Sequence, residues 1–154
     1  MRKVVVVGML LVGASLFGGE VRAQTYTSLG LGVVFPQRDL ADVYDNGLTF
    51  RGQAGVSLSL LDVHLQTGVT SFPLADDTMS EGDEATVYHV GAGARLGLGF
   101  LWVGANGGYF FGDGDDGVGL FPEAGLRLWR LEAVADYRVD GDQNWLAARL
   151  SWRF

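Results

Sequence analysis

Asn144-Trp145-Leu146-Ala147-Ala148-Arg149-Leu150-Ser151-Trp152-Arg153-Phe154 closes the chain. Leu146, Ala148, Leu150, Trp152 and Phe154 are apolar, whereas Ala147, Arg149, Ser151 and Arg153 between them are small or charged. A period of two places one set on each face of a β-strand. Chain ends fray unless something ties them down. An aromatic final residue on so regular a strand therefore implies a strand that closes a larger structure.

The same alternation returns at Thr27–Phe35, Leu48–Leu60, Val63–Phe72, Thr86–Leu98, Leu101–Phe111, Val118–Leu128 and Leu131–Val139. The second stretch carries Leu48, Phe50, Gly52, Ala54, Val56, Leu58 and Leu60 on one face. Thr49, Arg51, Gln53, Gly55, Ser57 and Ser59 occupy the other. Throughout, one face reads as Leu, Val, Ala or aromatic, and the opposite face as Gly, Ser, Gln, His, Asn, Arg or Glu. Strands of about ten residues with this alternation have the length to cross a bilayer at a tilt. No helical period competes after the amino-terminal segment. The expected fold is all-β, an eight-stranded antiparallel up-and-down transmembrane barrel.

The connections alternate as regularly as the strands. Leu61-Asp62, Gly99-Phe100 and Trp129-Arg130 read as tight turns, and Pro36–Gly47, Pro73–Ala85, Gly112–Gly117 and Asp140–Gln143 as longer acidic loops. Long loops at one end and short turns at the other is the asymmetry of an outer-membrane barrel, with the long loops outside the cell.

Met1-Arg2-Lys3 is basic, Val4–Phe17 is apolar apart from Gly8, Gly13 and Ser15, and Val21-Arg22-Ala23 supplies small residues for a peptidase. That is the layout of a secretory signal peptide over residues 1–23, leaving a barrel domain of 24–154. The whole chain has net charge −7, and residues 24–154 carry 8 Arg, no Lys and 17 acids, or −9. So acidic a protein is a poor partner for nucleic acid. The absence of Cys removes disulfides, thiolate metal sites and cysteine nucleophiles.

Together these features resemble the small outer-membrane β-barrel family, the OmpA- and OmpX-like proteins. Leu146-x-Ala148-x-Leu150-x-Trp152-x-Phe154 is similar to the C-terminal signal that the outer-membrane assembly machinery recognises in that family. Phe35–Gly47, a Pro followed by a short acidic-aromatic segment and Gly, resembles a first outer loop of such barrels. The resemblance implies the outer membrane of a Gram-negative-type bacterium, with lipid and lipopolysaccharide around the barrel. No peptidoglycan-binding domain follows the barrel stretch, which sets the chain apart from the OmpA arrangement.

Eight strands enclose an interior just wide enough for side chains. By parity Arg51, Arg95, Arg127, Arg138, Arg149 and Arg153 point inward, against Glu123, Glu132 and Asp136. A turn at Trp129-Arg130 sets Arg127 opposite Glu132, a favourable cross-strand pair. It also sets Glu123 opposite Asp136, and two adjacent carboxylates need a bridging arginine or a proton. Arg149 on the next strand is the candidate bridge. Such a network plugs a barrel and holds its walls in register; an excess of inward arginine would alternatively suit a narrow anion-favouring channel. Phe35, Phe50, Tyr88, Tyr109, Phe111 and Tyr137 are expected on the outer wall toward the long loops. Trp129, Trp152 and Phe154 are expected there toward the turns, the two forming interfacial girdles.

Catalysis is not expected. His64 and His89 fall on the inward face, and no outward Ser has a base within reach. In the loops, Asp113, Asp115 and Asp116 offer hard oxygen ligands of the kind calcium takes, but without EF-hand spacing. The plainer reading is a solvated acidic rim, available to an extracellular ligand or to cations bridging to lipopolysaccharide phosphates. No cofactor is implied. The expected role is structural or interactive: membrane integrity, adhesion or binding at the loops. A narrow solute or ion channel is the alternative, and a secreted soluble barrel holding a lipophilic ligand is a third; that one needs its apolar face inside.

Overall fold

The computed structural model describes residues 23–73, 84–113, 116–139 and 144–154. The signal-peptide reading falls on residues 1–22, outside the described residues apart from Ala23. Eight strands form one closed barrel in sequence order: β1 (Ala23–Gln37), β2 (Gly47–Leu58), β3 (Leu61–Phe72), β4 (Ala85–Leu98), β5 (Leu101–Gly112), β6 (Gly117–Leu128), β7 (Leu131–Arg138) and β8 (Asn144–Arg153). Every neighbouring pair is antiparallel, giving an up-and-down barrel.

Closure is made by β1 and β8, with Leu29 opposite Trp152 and Val33 opposite Ala148. The backbone N–H of Phe154 donates to the Thr27 carbonyl at 2.9 Å, so the last residue is tied into the wall. Leaving no edge strand satisfies every ladder hydrogen bond internally, which a sheet in hydrocarbon requires.

The alternation sorts the side chains cleanly in the lower and middle barrel. Leu31, Leu65, Leu128 and Leu150 stand exposed on the outer wall, while Arg95, Glu132, Asp136 and Arg149 are buried inside. A soluble carrier of a lipophilic ligand needs the opposite orientation, so that third reading does not fit this fold.

Two tight turns lie where the sequence places them, at Gly99-Phe100 and Trp129-Arg130; the first does not. β2 ends at Leu58, the turn is Ser59-Leu60, and β3 starts at Leu61. Asp62 is therefore not a turn residue but an inward, buried one, paired with Ser57 on β2. Leu60 disguises the turn by extending the apolar alternation two residues too far. The first residue of all three turns has positive φ: Ser59 at 59°, Gly99 at 75° and Trp129 at 61°. A two-residue hairpin with a left-handed first position matches the strand twist, and glycine fits it best.

At the opposite end β1 runs further than its alternation suggests, to Gln37, and a 3-10 turn follows at Arg38–Asp42. Leu40 and Tyr44 from this connection pack against the inner cluster at the barrel mouth. The Asp45 N–H donates to the Pro73 carbonyl at 2.9 Å, fastening this first loop to the end of β3.

Candidate functional site

The interior is built from inward side chains in two layers. The layer toward the tight turns is a continuous chain of alternating charges. Arg153 meets Asp62 at 2.9 Å, Asp62 meets Arg127 at 2.7 Å, and Arg127 meets Glu132 at 2.6 Å. Glu132 is 3.3 Å from Arg95, which is 2.7 Å from Glu123. Arg149 then bridges the adjacent carboxylates of Glu123 and Asp136, at 3.6 and 2.7 Å, and Arg51 ends the chain on Asp136 at 3.2 Å.

Five arginines and four acids are thus threaded so that each carboxylate sees at least two guanidinium groups. Buried ion pairs are tolerable only when geometry and further hydrogen bonds offset the loss of hydration. Here they do: Arg95 also donates to Gln53 Oε1 at 2.9 Å, and Ser57 donates to Asp62. The Arg95 guanidinium lies over the Trp102 ring at 4.1 Å, and that of Arg153 over Tyr26 at 3.6 Å. Such cation–π contacts strengthen away from water.

Glycines on the wall make room for these long side chains. Arg95, Gly104 and Glu123 occupy one lateral row across β4, β5 and β6. A Cβ at Gly104 would fall 2.8 Å from Arg95 Cγ, so the bare backbone lets Arg95 lie flat and reach Glu123. Gly32 does the same for Arg149 across the β1–β8 seam.

The layer toward the long loops is built around an apolar cluster. Val34, Phe72, Ala85, Val87, Phe110, Phe121, Trp145 and Ala147 form one buried cluster inside the barrel. Phe110 is 4.8 Å from Phe121 and 5.9 Å from Trp145, which in turn is 5.3 Å from Phe72. Arg138 is fully buried among them, its guanidinium 3.6 Å over Phe110 and 4.2 Å over Trp145. The inner face is thus not uniformly polar, contrary to the sequence reading. Phe110-Phe111, Trp145-Leu146 and Leu101-Trp102-Val103 are apolar on both faces, so a period of two alone cannot single out the inner aromatics.

Arg51, Arg95, Glu123, Arg127, Glu132, Asp136 and Arg149 are brought into one network; Arg138 lies apart from it, in the aromatic layer. Asp62 is the member that sequence reasoning missed. Its signal was the polar parity of β3, on which it stands two residues before His64 and four before Gln66. The histidines are buried separately: His64 Nε2 is 2.7 Å from Asn106 Oδ1, and His89 packs against Phe110 and Phe121. On the outer face of β8, Leu146, Leu150, Trp152 and Phe154 stand exposed with Ala148 among them. Trp129 and Trp152 meet edge-on at 5.8 Å at the turn end, and Tyr88 stacks on Phe111 at 5.6 Å toward the loops.

Of the loop acids, Asp115 lies outside the described residues. Asp113 accepts from the Thr86 N–H at 3.0 Å, and Asp116 accepts from the Tyr109 hydroxyl at 3.4 Å. Both are therefore engaged by the ends of β4 and β5.

No protein-family model matches the chain, and no curated protein matches its sequence. Among solved structures, the crystal structure of Neisserial surface protein A (NspA) is similar, with a TM-score of 0.53 and 14% identity. The match covers 86% of this chain and 97% of that one. At that identity the likeness carries the fold, a closed eight-stranded barrel.

Proposed function

We propose that this protein is an exported, integral outer-membrane barrel of the small OmpA- and OmpX-like kind, non-catalytic, serving a structural or surface-interaction role. The observation that carries the reading is the pairing of an apolar outer wall with a filled interior. The wall is suited to lipid and lipopolysaccharide. The charge chain and aromatic cluster leave the lumen to side chains, which favours a scaffold over the narrow channel. What the scaffold displays is its acidic loop end, and a ligand there would meet a strongly negative surface. The exposed face of β8, Leu146 to Phe154, is the stretch the assembly machinery would read.

Membrane fractionation combined with gel migration of unheated and heated samples tests the assignment. The expected result is recovery in the outer-membrane fraction and a mobility change on boiling, as a closed barrel opens. Recovery in the soluble fraction would contradict it.

A further inference from the structure

The chain of alternating charges begins and ends on arginine, and its two ends differ in surroundings. Arg153 sits at the turn-end rim, where water reaches it, whereas Arg51 is 2% exposed. Arg51 spends only Nη2 on Asp136, and Asp136 is shared with two hydrogen bonds from Arg149. Its Nε and Nη1 are buried without a hydrogen-bond partner. A buried guanidinium so under-paired is costly unless another negative group meets it.

The neighbours of Arg51 have the same need. Arg51, Gly68 and His89 lie in one lateral row, and Gln66 is the diagonal neighbour of both Arg51 and His89. Gln53 donates to Gln66 Oε1 at 3.3 Å, which fixes that amide and leaves its Nε2 buried without a partner. His89 Nε2 is likewise without one. The Phe121 ring adjoins both side chains, 5.2 Å from Arg51 Cζ and 5.7 Å from the His89 ring. Beside Gln66, the wall carries Gly91 opposite Gly108 and Gly108 opposite Gly119, a patch with no side chains.

We propose that the barrel holds a small inorganic anion, of the halide class, beneath its aromatic cluster, bound by Arg51 and Gln66 with His89 as a further donor. The reason to prefer an anion over water is the character of the unpaired atoms. Arg51 Nε, Arg51 Nη1 and Gln66 Nε2 can only donate. A water among them would bring two protons of its own that need acceptors, whereas a halide accepts from several donors and completes the charge alternation that Arg51 leaves open.

The test uses the full barrel refolded in sodium bromide or sodium gluconate at equal ionic strength, gluconate being a far larger anion than a halide. The expected result is a melting temperature higher in bromide by about 5 °C, the scale set by ligand linkage for a domain of this size. Crystals grown in bromide are expected to carry an anomalous peak within hydrogen-bond distance of Arg51. Arg51→Gln is expected to abolish the bromide increment, and Gln66→Leu, which keeps every ion pair, to reduce it should Arg51→Gln fail to fold. Equal melting temperatures in the two salts, an increment unchanged in Gln66→Leu, or anomalous density only on the outer surface would overturn the proposal.

Discussion

Arg153 on β8 donates from Nη1 to Asp62 Oδ2 on β3 at 2.9 Å, joining two strands that are not neighbours in the barrel wall. Asp62 also accepts from Arg127 on β6 at 2.7 Å, so one carboxylate ties three parts of the wall together. The contact fixes the cross-section of the turn end in a way that ladder hydrogen bonds between adjacent strands cannot.

Replacing that carboxylate and its counterpart deeper in the barrel should have unequal costs. Asp62→Asn leaves Arg127 and Arg153 under-paired, but both reach solvent, and a loss of about 2 kcal/mol is expected. Asp136→Asn strands Arg51 and leaves Arg149 with Glu123 alone, both arginines being buried, and should cost about 3–5 kcal/mol. Urea unfolding midpoints of the two variants in the same detergent check the order. An equal or reversed ranking would mean the network is not layered as described.

The glycines that seat the arginines give a second contrast. A Cβ at Gly104 would crowd Arg95 Cγ and the Ala94 carbonyl, at 2.8 and 2.6 Å. At Gly52, on the outer wall, the one contact would be Leu29 Cδ2 at an ordinary 3.6 Å. Gly104→Ala should destabilise by about 1–3 kcal/mol, an overpacking cost. Gly52→Ala should be neutral or slightly stabilising. Comparable losses in both would show that backbone freedom, not space for Arg95, decides the inner position.

Ser59 holds a left-handed conformation that a serine adopts at a cost. Ser59→Gly relieves it and should raise stability by about 0.5–1 kcal/mol, whereas the β-branched Ser59→Val should lower it. The comparison is a shift in unfolding midpoint at constant slope. Stabilisation by valine would place the turn elsewhere, at the Leu61-Asp62 site that the sequence favours.

The eight strands, their order and the outward set of leucines and valines were legible because a period of two held over nearly every strand. Gly99 and Trp129-Arg130 marked two turns by interrupting that period, whereas Leu60 prolonged it and hid the third. Neighbouring pairs such as Arg127 with Glu132 followed from turn geometry. Pairs across the lumen, Arg95 with Glu132 and Arg51 with Asp136, depend on strand tilt and barrel closure, which no single strand encodes. The inner aromatics were illegible for a different reason. Where Phe110 and Phe111 or Trp145 and Leu146 are both apolar, only packing against the opposite wall decides which turns in.

The aromatic layer should matter for stability. Phe121 touches Phe110, His89 and Arg51 at once. Phe121→Ala should cost about 3–5 kcal/mol through the cavity it leaves, read as a fall in the urea midpoint, while leaving the turn-end ion pairs in place. A loss below 1 kcal/mol would indicate that the layer collapses freely and does not brace the mouth.

The charge chain and the aromatic cluster together seal the barrel with its own side chains. Single-channel recording of the refolded protein in a planar lipid bilayer puts that seal to the test. The expected current stays at the level of the bare bilayer across applied voltages of either sign. Discrete, reproducible opening steps with a selectivity for anions would contradict it and establish the narrow channel instead.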